Sequence, residues 1–176
     1  MTSLDIHLSQ KLLGLIKKKA LMIKFNIIIN NKVWLKYLKN PSRFIESKTK
    51  LLNKKFKKHK KKKIFISLLL SGDNEIKKLN QRFRKKNTTT DVLSFPFHSK
   101  NKLKSLLKNE KEIYLGDIII NVNKIKNKDN IIIFKKELNK LWVHGLVHLF
   151  GFDHKRNVDY IRMFNVEKKF LNYIND

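Results

Sequence analysis

Apolar positions along this chain follow two rhythms. Short runs rich in isoleucine and leucine, bounded by polar or turn-forming residues, predict strands at residues 23–29, 64–70 and 114–121. Residues 91–97 predict a further strand, with Pro96 placing that part at a sheet edge or a bulge. Ile118, Ile119 and Ile120 are consecutive, so the strand that carries them should be covered on both faces. Elsewhere the apolar residues recur at helical spacing. A helix is expected over 32–38, with Val33, Trp34, Tyr37 and Leu38 as its stripe, and Pro41 then interrupts. Another is expected over about 42–52, capped by Ser42, with Phe44, Ile45, Leu51 and Leu52 inward. Ser71-Gly72-Asp73 reads as a turn before a helix at 75–83 that Asp73 or Asn74 would cap. A long helix at about 134–150 and a last one at about 158–173 complete the set. Ile161, Phe164, Phe170 and Leu171 are expected to form the apolar side of that last helix. The lysine-rich stretch 98–112 is expected to be a surface hairpin or excursion. The sum is one α+β domain over residues 23–176, a four-stranded mixed sheet flanked by helices, preceded by an N-terminal extension over 1–22.

Composition narrows the chemistry. The 176 residues suffice for one domain and one sizeable core, and there is no cysteine, so any metal must sit on nitrogen and oxygen ligands. This fits a reducing cytoplasm. No apolar stretch reaches the ~20 residues that span a bilayer. In the N-terminal extension the apolar residues precede Lys17, Lys18 and Lys19, the reverse of a secretory signal, so an amphipathic helix or frayed extension is expected there. The net charge of +27 suggests a polyanionic partner. Yet 36 of the 41 basic residues are lysine, and lysine, asparagine and isoleucine together supply 75 of the 176 residues. These share adenine- and thymine-rich codons, so codon bias alone accounts for much of the charge. The densest run, residues 54–63, has eight lysines interrupted by Phe56 and His59, and offers little aromatic surface for stacking bases.

The sharpest chemical signal is His144, His148 and His154, three of six histidines within eleven residues. His144 and His148, four apart, share one face of a helix. Gly151 can end that helix in a left-handed conformation, and the turn beyond it can bring His154 back toward the pair. Three imidazoles at the C-terminal end of a helix and its following turn make a divalent-metal site with an open position, as in catalytic zinc. Such an ion lowers the pKa of water and polarises a substrate oxygen. Zinc suits these ligands best, with nickel or copper able to replace it. The spacing resembles the extended zincin pattern of metalloproteases, but Gly145 stands where those enzymes keep their glutamate base.

The segment from His144 to His154 resembles the H-G-x-x-H-L-x-G-[YF]-D-H signature of the YbeY family of bacterial endoribonucleases. Two further blocks are similar to that family in the same order: Leu79-Asn80-Gln81-Arg82-Phe83-Arg84 with the block Thr90 to Phe97, and Leu115-Gly116-Asp117-Ile118. The resemblance covers about Ile64 to the C-terminus. It implies a metal-dependent, single-strand-specific endoribonuclease of the cytoplasm that acts with the ribosome on ribosomal RNA. Its expected roles are forming the 3′ end of the small-subunit RNA and ribosome quality control. It implies one zinc per chain on His144, His148 and His154, and a functional arginine at Arg84. His144 and Arg84 are the expected catalytic residues, the guanidinium holding a phosphate as charge develops on it. Asp153 could orient a ligand or cap the next turn, Asp117 fix a strand end or support the site, and Thr90, Ser94 and Phe95 line a cleft. Asp91 stands where the family also accepts asparagine, which argues against an obligatory base there. No residue is marked as general base; an activated water or the ribose 2′-hydroxyl could each attack without a carboxylate. A ribosome-assembly factor that binds RNA and holds a structural zinc is the alternative, and a metalloprotease a third.

Overall fold

The computed structural model describes residues 21–56, 62–154 and 156–175. The expected N-terminal helix and the centre of the lysine run lie outside these residues. In chain order the elements are β1 (Leu21–Ile29), α1 (Trp34–Tyr37), α2 (Pro41–Lys55), β2 (Lys62–Ser71), α3 (Asp73–Arg84), β3 (Val92–Pro96), α4 (Lys100–Asn109), β4 (Glu112–Asn121), α5 (Ile131–Leu149) and α6 (Asn157–Asn175). A single 3-10 turn, Val122–Lys124, follows β4. The strands form one mixed sheet in the order β1-β2-β4-β3. β1, β2 and β4 are parallel, and β3 runs antiparallel to β4 at the edge, where Pro96 can lack its amide hydrogen without loss.

β4 is covered on both faces, as its three isoleucines require. Ile118 and Ile120 enter the large core shared with α2, α5 and α6, while Ile119 joins Leu93 and Ile76 of α3 beneath the opposite face. A bulge in β4 shifts its register with β2 between Phe65 and Ile66. Leu115 is the extra residue, and Gly116 beside it takes φ +136°, where a Cβ would fall 2.1 Å from the carbonyl oxygen of Phe95. Only glycine fits that approach.

Four expectations are corrected. Ser42 does not cap the second helix: Asn40 accepts from the Arg43 amide at 2.8 Å, and Pro41 begins the helix rather than interrupting it. Neither Asp73 nor Asn74 caps α3, which starts from Gly72. The Asp73 carboxylate instead accepts from Asn121 (2.8 Å) and Asn123 (2.7 Å), and these bonds hold it below the usual carboxylate range. The expected surface excursion over 98–112 contains α4, capped by Ser99, with Leu103 and Leu107 fully buried. Burial of two leucines, about 2 kcal/mol each, outweighs the polarity of the lysines around them. The last helix is rotated from its expected setting: Met163, Val166, Phe170 and Ile174 face the core, whereas Ile161 and Phe164 are exposed. Among the described residues no helix is long and apolar enough to cross a membrane.

Candidate metal centre

α5 carries exposed lysines on its first turns and becomes almost wholly buried toward its end, burying Phe134, Leu138, Trp142, Val143, Leu146, Val147 and Leu149. Asn130 caps it by accepting from the amides of Ile132 and Ile133. Its far end closes as the sequence predicts. Gly151 takes φ +85°, its N–H donates to His148 O at 2.8 Å, and the Phe152 N–H donates to Val147 O at 3.3 Å. This pair of bonds is a Schellman motif, and it turns the chain back so that His154 meets the two helix histidines. Ligating nitrogens of His144, His148 and His154 all lie within 4.8 Å of one another.

Gly145 explains why α5 can sit so low on the sheet. A Cβ there would lie 2.8 Å from Ile118 Cγ2 and 3.0 Å from Ile118 Cδ1, inside the packed interior. The position that carries the base in zincins here points into the core, so a glutamate has no room.

The outer ring nitrogens fix the tautomers. His144 Nδ1 lies 2.8 Å from Glu167 Oε1 of α6, and His148 Nδ1 lies 3.0 Å from the Phe152 carbonyl oxygen. Both partners only accept, so each Nδ1 must carry the proton and donate. In the neutral rings that a metal ligates, this leaves a lone pair on each Nε2, and the two Nε2 atoms are 3.1 Å apart. With the rings neutral, nothing donates between them. Two facing lone pairs suit a shared cation, and a carboxylate or carbonyl behind a ligating histidine is the usual support of a metal site. His148 is kept neutral for this task, its pKa lowered to about 4 chiefly by burial and next by His144. The donor set therefore fits a divalent ion.

The remaining sequence candidates separate. Asp153 Oδ1 accepts the backbone N–H of His154 at 2.8 Å and so shapes the turn. Asp91 braces the start of β3, accepting from the Val92 amide and the Thr90 hydroxyl. Asp117 accepts from the Tyr114 hydroxyl at 2.5 Å. Since neighbouring Ile118 faces α5, strand alternation points Asp117 to the other side of the sheet, away from the histidines. Phe95 likewise packs on Phe83 of α3, ring centroids 5.0 Å apart, while Ser94, paired with Ile118, shares the α5 face. Arg84 is the last residue of α3, exposed, and without a hydrogen bond or ion pair among the described residues. Sequence reasoning missed Glu167. It lies 23 residues from His144 on another helix, and no spacing rule links them.

A mixed α+β sheet carrying three imidazoles at the end of a buried helix defines a single-domain protein with a candidate divalent-metal centre. The family model described as Endoribonuclease YbeY matches residues 29–175. This chain belongs to the YbeY family. Its relatives include a protein named Endoribonuclease YbeY from Pelagibacter ubique, 40% identical over 156 residues, covering 87% of this chain and 97% of that one. Another of that name, from Ehrlichia canis, is 31% identical over 154 residues, covering 85% and 91%. A solution structure of a Thermotoga maritima protein superposes with a TM-score of 0.53 at 25% identity, covering 86% of this chain and 89% of that one.

Proposed function

We propose that this chain is a zinc-dependent endoribonuclease that cuts single-stranded RNA. Its substrate in the cell is the 3′ region of small-subunit ribosomal RNA, and it works in the cytoplasm in ribosome maturation and quality control. The observation that carries this reading is the pair of Nε2 lone pairs held 3.1 Å apart by partners behind each ring, within a family whose named relatives are endoribonucleases. His144, His148 and His154 would hold one zinc, which when bound acts as a Lewis acid on an oxygen at the phosphodiester. Glu167 and the Phe152 carbonyl keep the ligand protons on Nδ1. Arg84, whose guanidinium has no partner among the described residues, would hold a phosphate and stabilise charge building on it. Peptide hydrolysis is disfavoured because the base position is Gly145 and opens onto Ile118. A purely structural zinc is disfavoured because, among the described residues, three side chains converge rather than four, and His154 is exposed, leaving a side open to substrate.

The test compares wild type, His148→Ala and Arg84→Ala, purified side by side, on a single-stranded RNA and its duplex. Wild type should cut the single strand alone. His148→Ala should lose cutting together with bound zinc, and Arg84→Ala should keep its zinc and lose at least about a hundredfold in rate, the size expected for one lost donor to developing charge. Cleavage by His148→Ala at the wild-type rate would refute the site.

A further inference from the structure

The rotation of α6 leaves a row of side chains that the core does not use. Arg156, Tyr160, Phe164 and Lys168 are spaced four apart and all exposed, with Tyr160 at 56% and Phe164 at 50%. Residues four apart on a helix lie nearly one above another. The Tyr160 amide donates to Arg156 O at 2.9 Å, so Arg156 continues the helical path at its start. The Tyr160 and Phe164 rings are already parallel, 17° between planes and 6.2 Å between centroids. The row is therefore cation, ring, ring, cation.

Its position gives it meaning. Glu167 is three residues beyond Phe164, hence its neighbour on the helix surface, and Glu167 touches His144 at 2.8 Å. Phe164 stands about one helical turn, and Tyr160 about two, from the residue supporting the metal centre, roughly 5 and 10 Å of rise. Apolar protein-binding patches are depleted in lysine at their centres. Here two exposed aromatics, with exposed Val158 and Ile161 beside them, are bracketed by Arg156 and Lys168 on a chain of net charge +27. Aromatic faces between basic groups match unpaired nucleotides, whose bases stack and whose phosphates are anionic. Arg156 also pairs with Asp159 at 2.7 Å, which fixes the guanidinium at the end of the row.

We propose that the Arg156–Tyr160–Phe164–Lys168 row is a stacking platform for unpaired bases of RNA, beside the metal centre. It rests on the RNA-cleaving reading of that centre, and adds a reason for preferring single strands: paired bases have no free faces to stack. The lysine run at 54–63 lacks such a platform, whereas this row has two rings.

The experiment measures binding of a short single-stranded oligoribonucleotide carrying 2-aminopurine, and of its duplex, with chelator present so that cutting does not intervene. Tyr160→Ala and Phe164→Ala should each weaken single-strand binding about tenfold and diminish the 2-aminopurine stacking signal, with duplex binding unchanged. Phe164→Trp should restore both, and Phe164→Leu should not. Lys168→Ala should lower the salt dependence of binding, whereas the ring variants should not. Wild-type affinity in Tyr160→Ala/Phe164→Ala, equal losses for duplex and single strand, or an absence of single-strand binding by wild type would overturn the platform. So would a ring-dependent change of oligomeric state in sedimentation without a change in RNA affinity, which would make the row a contact between copies. Cleavage by wild type, measured separately with zinc, keeps the outcomes distinct. A chain that cuts RNA but binds it independently of the rings refutes only the platform. One that binds through the rings but does not cut refutes only the enzyme reading.

Discussion

Glu167 offers the most direct test of how the metal centre is held. Its carboxylate accepts the hydrogen bond from His144 Nδ1 at 2.8 Å, with side chains 21% and 30% exposed, so solvent screens the pair only in part. Removing such a partner from behind a ligating histidine lowers metal affinity by about 10- to 100-fold. That range equals about 1.4 to 2.7 kcal/mol. Glu167→Ala loses both charge and acceptor, freeing the ring to turn and change tautomer, and should sit near the upper end. Glu167→Gln keeps an oxygen able to accept from Nδ1 but loses the charge. A charge-assisted bond is roughly twice as strong as a neutral one, so about a tenfold loss is expected. Zinc affinity should be measured by competition with a chromophoric chelator, alongside melting of the metal-free proteins. The Gln variant should melt in its metal-free form like wild type, and its cleavage should recover when zinc is raised. Zinc binding by Glu167→Ala within twofold of wild type would refute the reasoning. So would equal losses for Ala and Gln, because the carboxylate would then do nothing beyond filling space.

Two further perturbations test the fold around the site. Gly145→Ala places a methyl 2.8 Å from Ile118 Cγ2; overpacking of about 1–3 kcal/mol, less the ~1 kcal/mol helix gain of alanine over glycine, gives a net loss of about 1 kcal/mol in urea unfolding. Gly145→Glu, which restores the zincin spacing, should fold far worse and gain no peptidase activity; a stable Gly145→Glu protein would show that α5 does not rest on Ile118. In the metal-free protein His148 titrates at about 4 when folded against 6.5 as its ordinary value. The unfolded chain therefore binds a proton that the folded chain refuses between those values. Stability should be intact above about pH 6.5 and fall as pH drops toward 4, by up to about 1.4 kcal/mol per pH unit. Urea midpoints should show this extra slope in wild type, lost in His148→Gln; parallel profiles for the two would remove the effect.

Much of this architecture was legible in the sequence, for a physical reason in each case. Strand β2 and strand β4 are isoleucine and leucine runs of strand length that lie in the core, and the histidine turn is local, its helix, glycine and return all contained in eleven residues. What was not legible depended on competition or distance. α6 carries two apolar stripes of helical period, and only packing against α2 and α5 selects Met163, Val166, Phe170 and Ile174 over Ile161 and Phe164. α4 shows Leu103, Leu106 and Leu107 at helical spacing, but the lysines between them mimic a solvated loop. Asn40 displaces Ser42 as cap because Pro41 fits the first helical position, where its missing N–H loses no bond. Glu167 becomes visible only once α6 is laid against α5.

The charge of the chain takes on a different value in this light. Lysine recurs along the whole sequence, so its total says little about where a polyanion would sit. The five arginines are more selective, because a planar fork matters where geometry does. Arg156 and Arg162 both reach Asp159 at the start of α6, at 2.7 and 3.8 Å, beside the turn that carries His154. Arg82 lies over the Phe83 ring, its guanidinium carbon 5.3 Å from the centroid. Arg84, two residues further, has no hydrogen bond or ion pair among the described residues. An unsatisfied fork is poorly suited to bracing a fold and well suited to receiving a phosphate. The electrostatic case for an RNA substrate therefore leans less on the lysine total than on the Arg84 guanidinium and the aromatic row with its flanking cations.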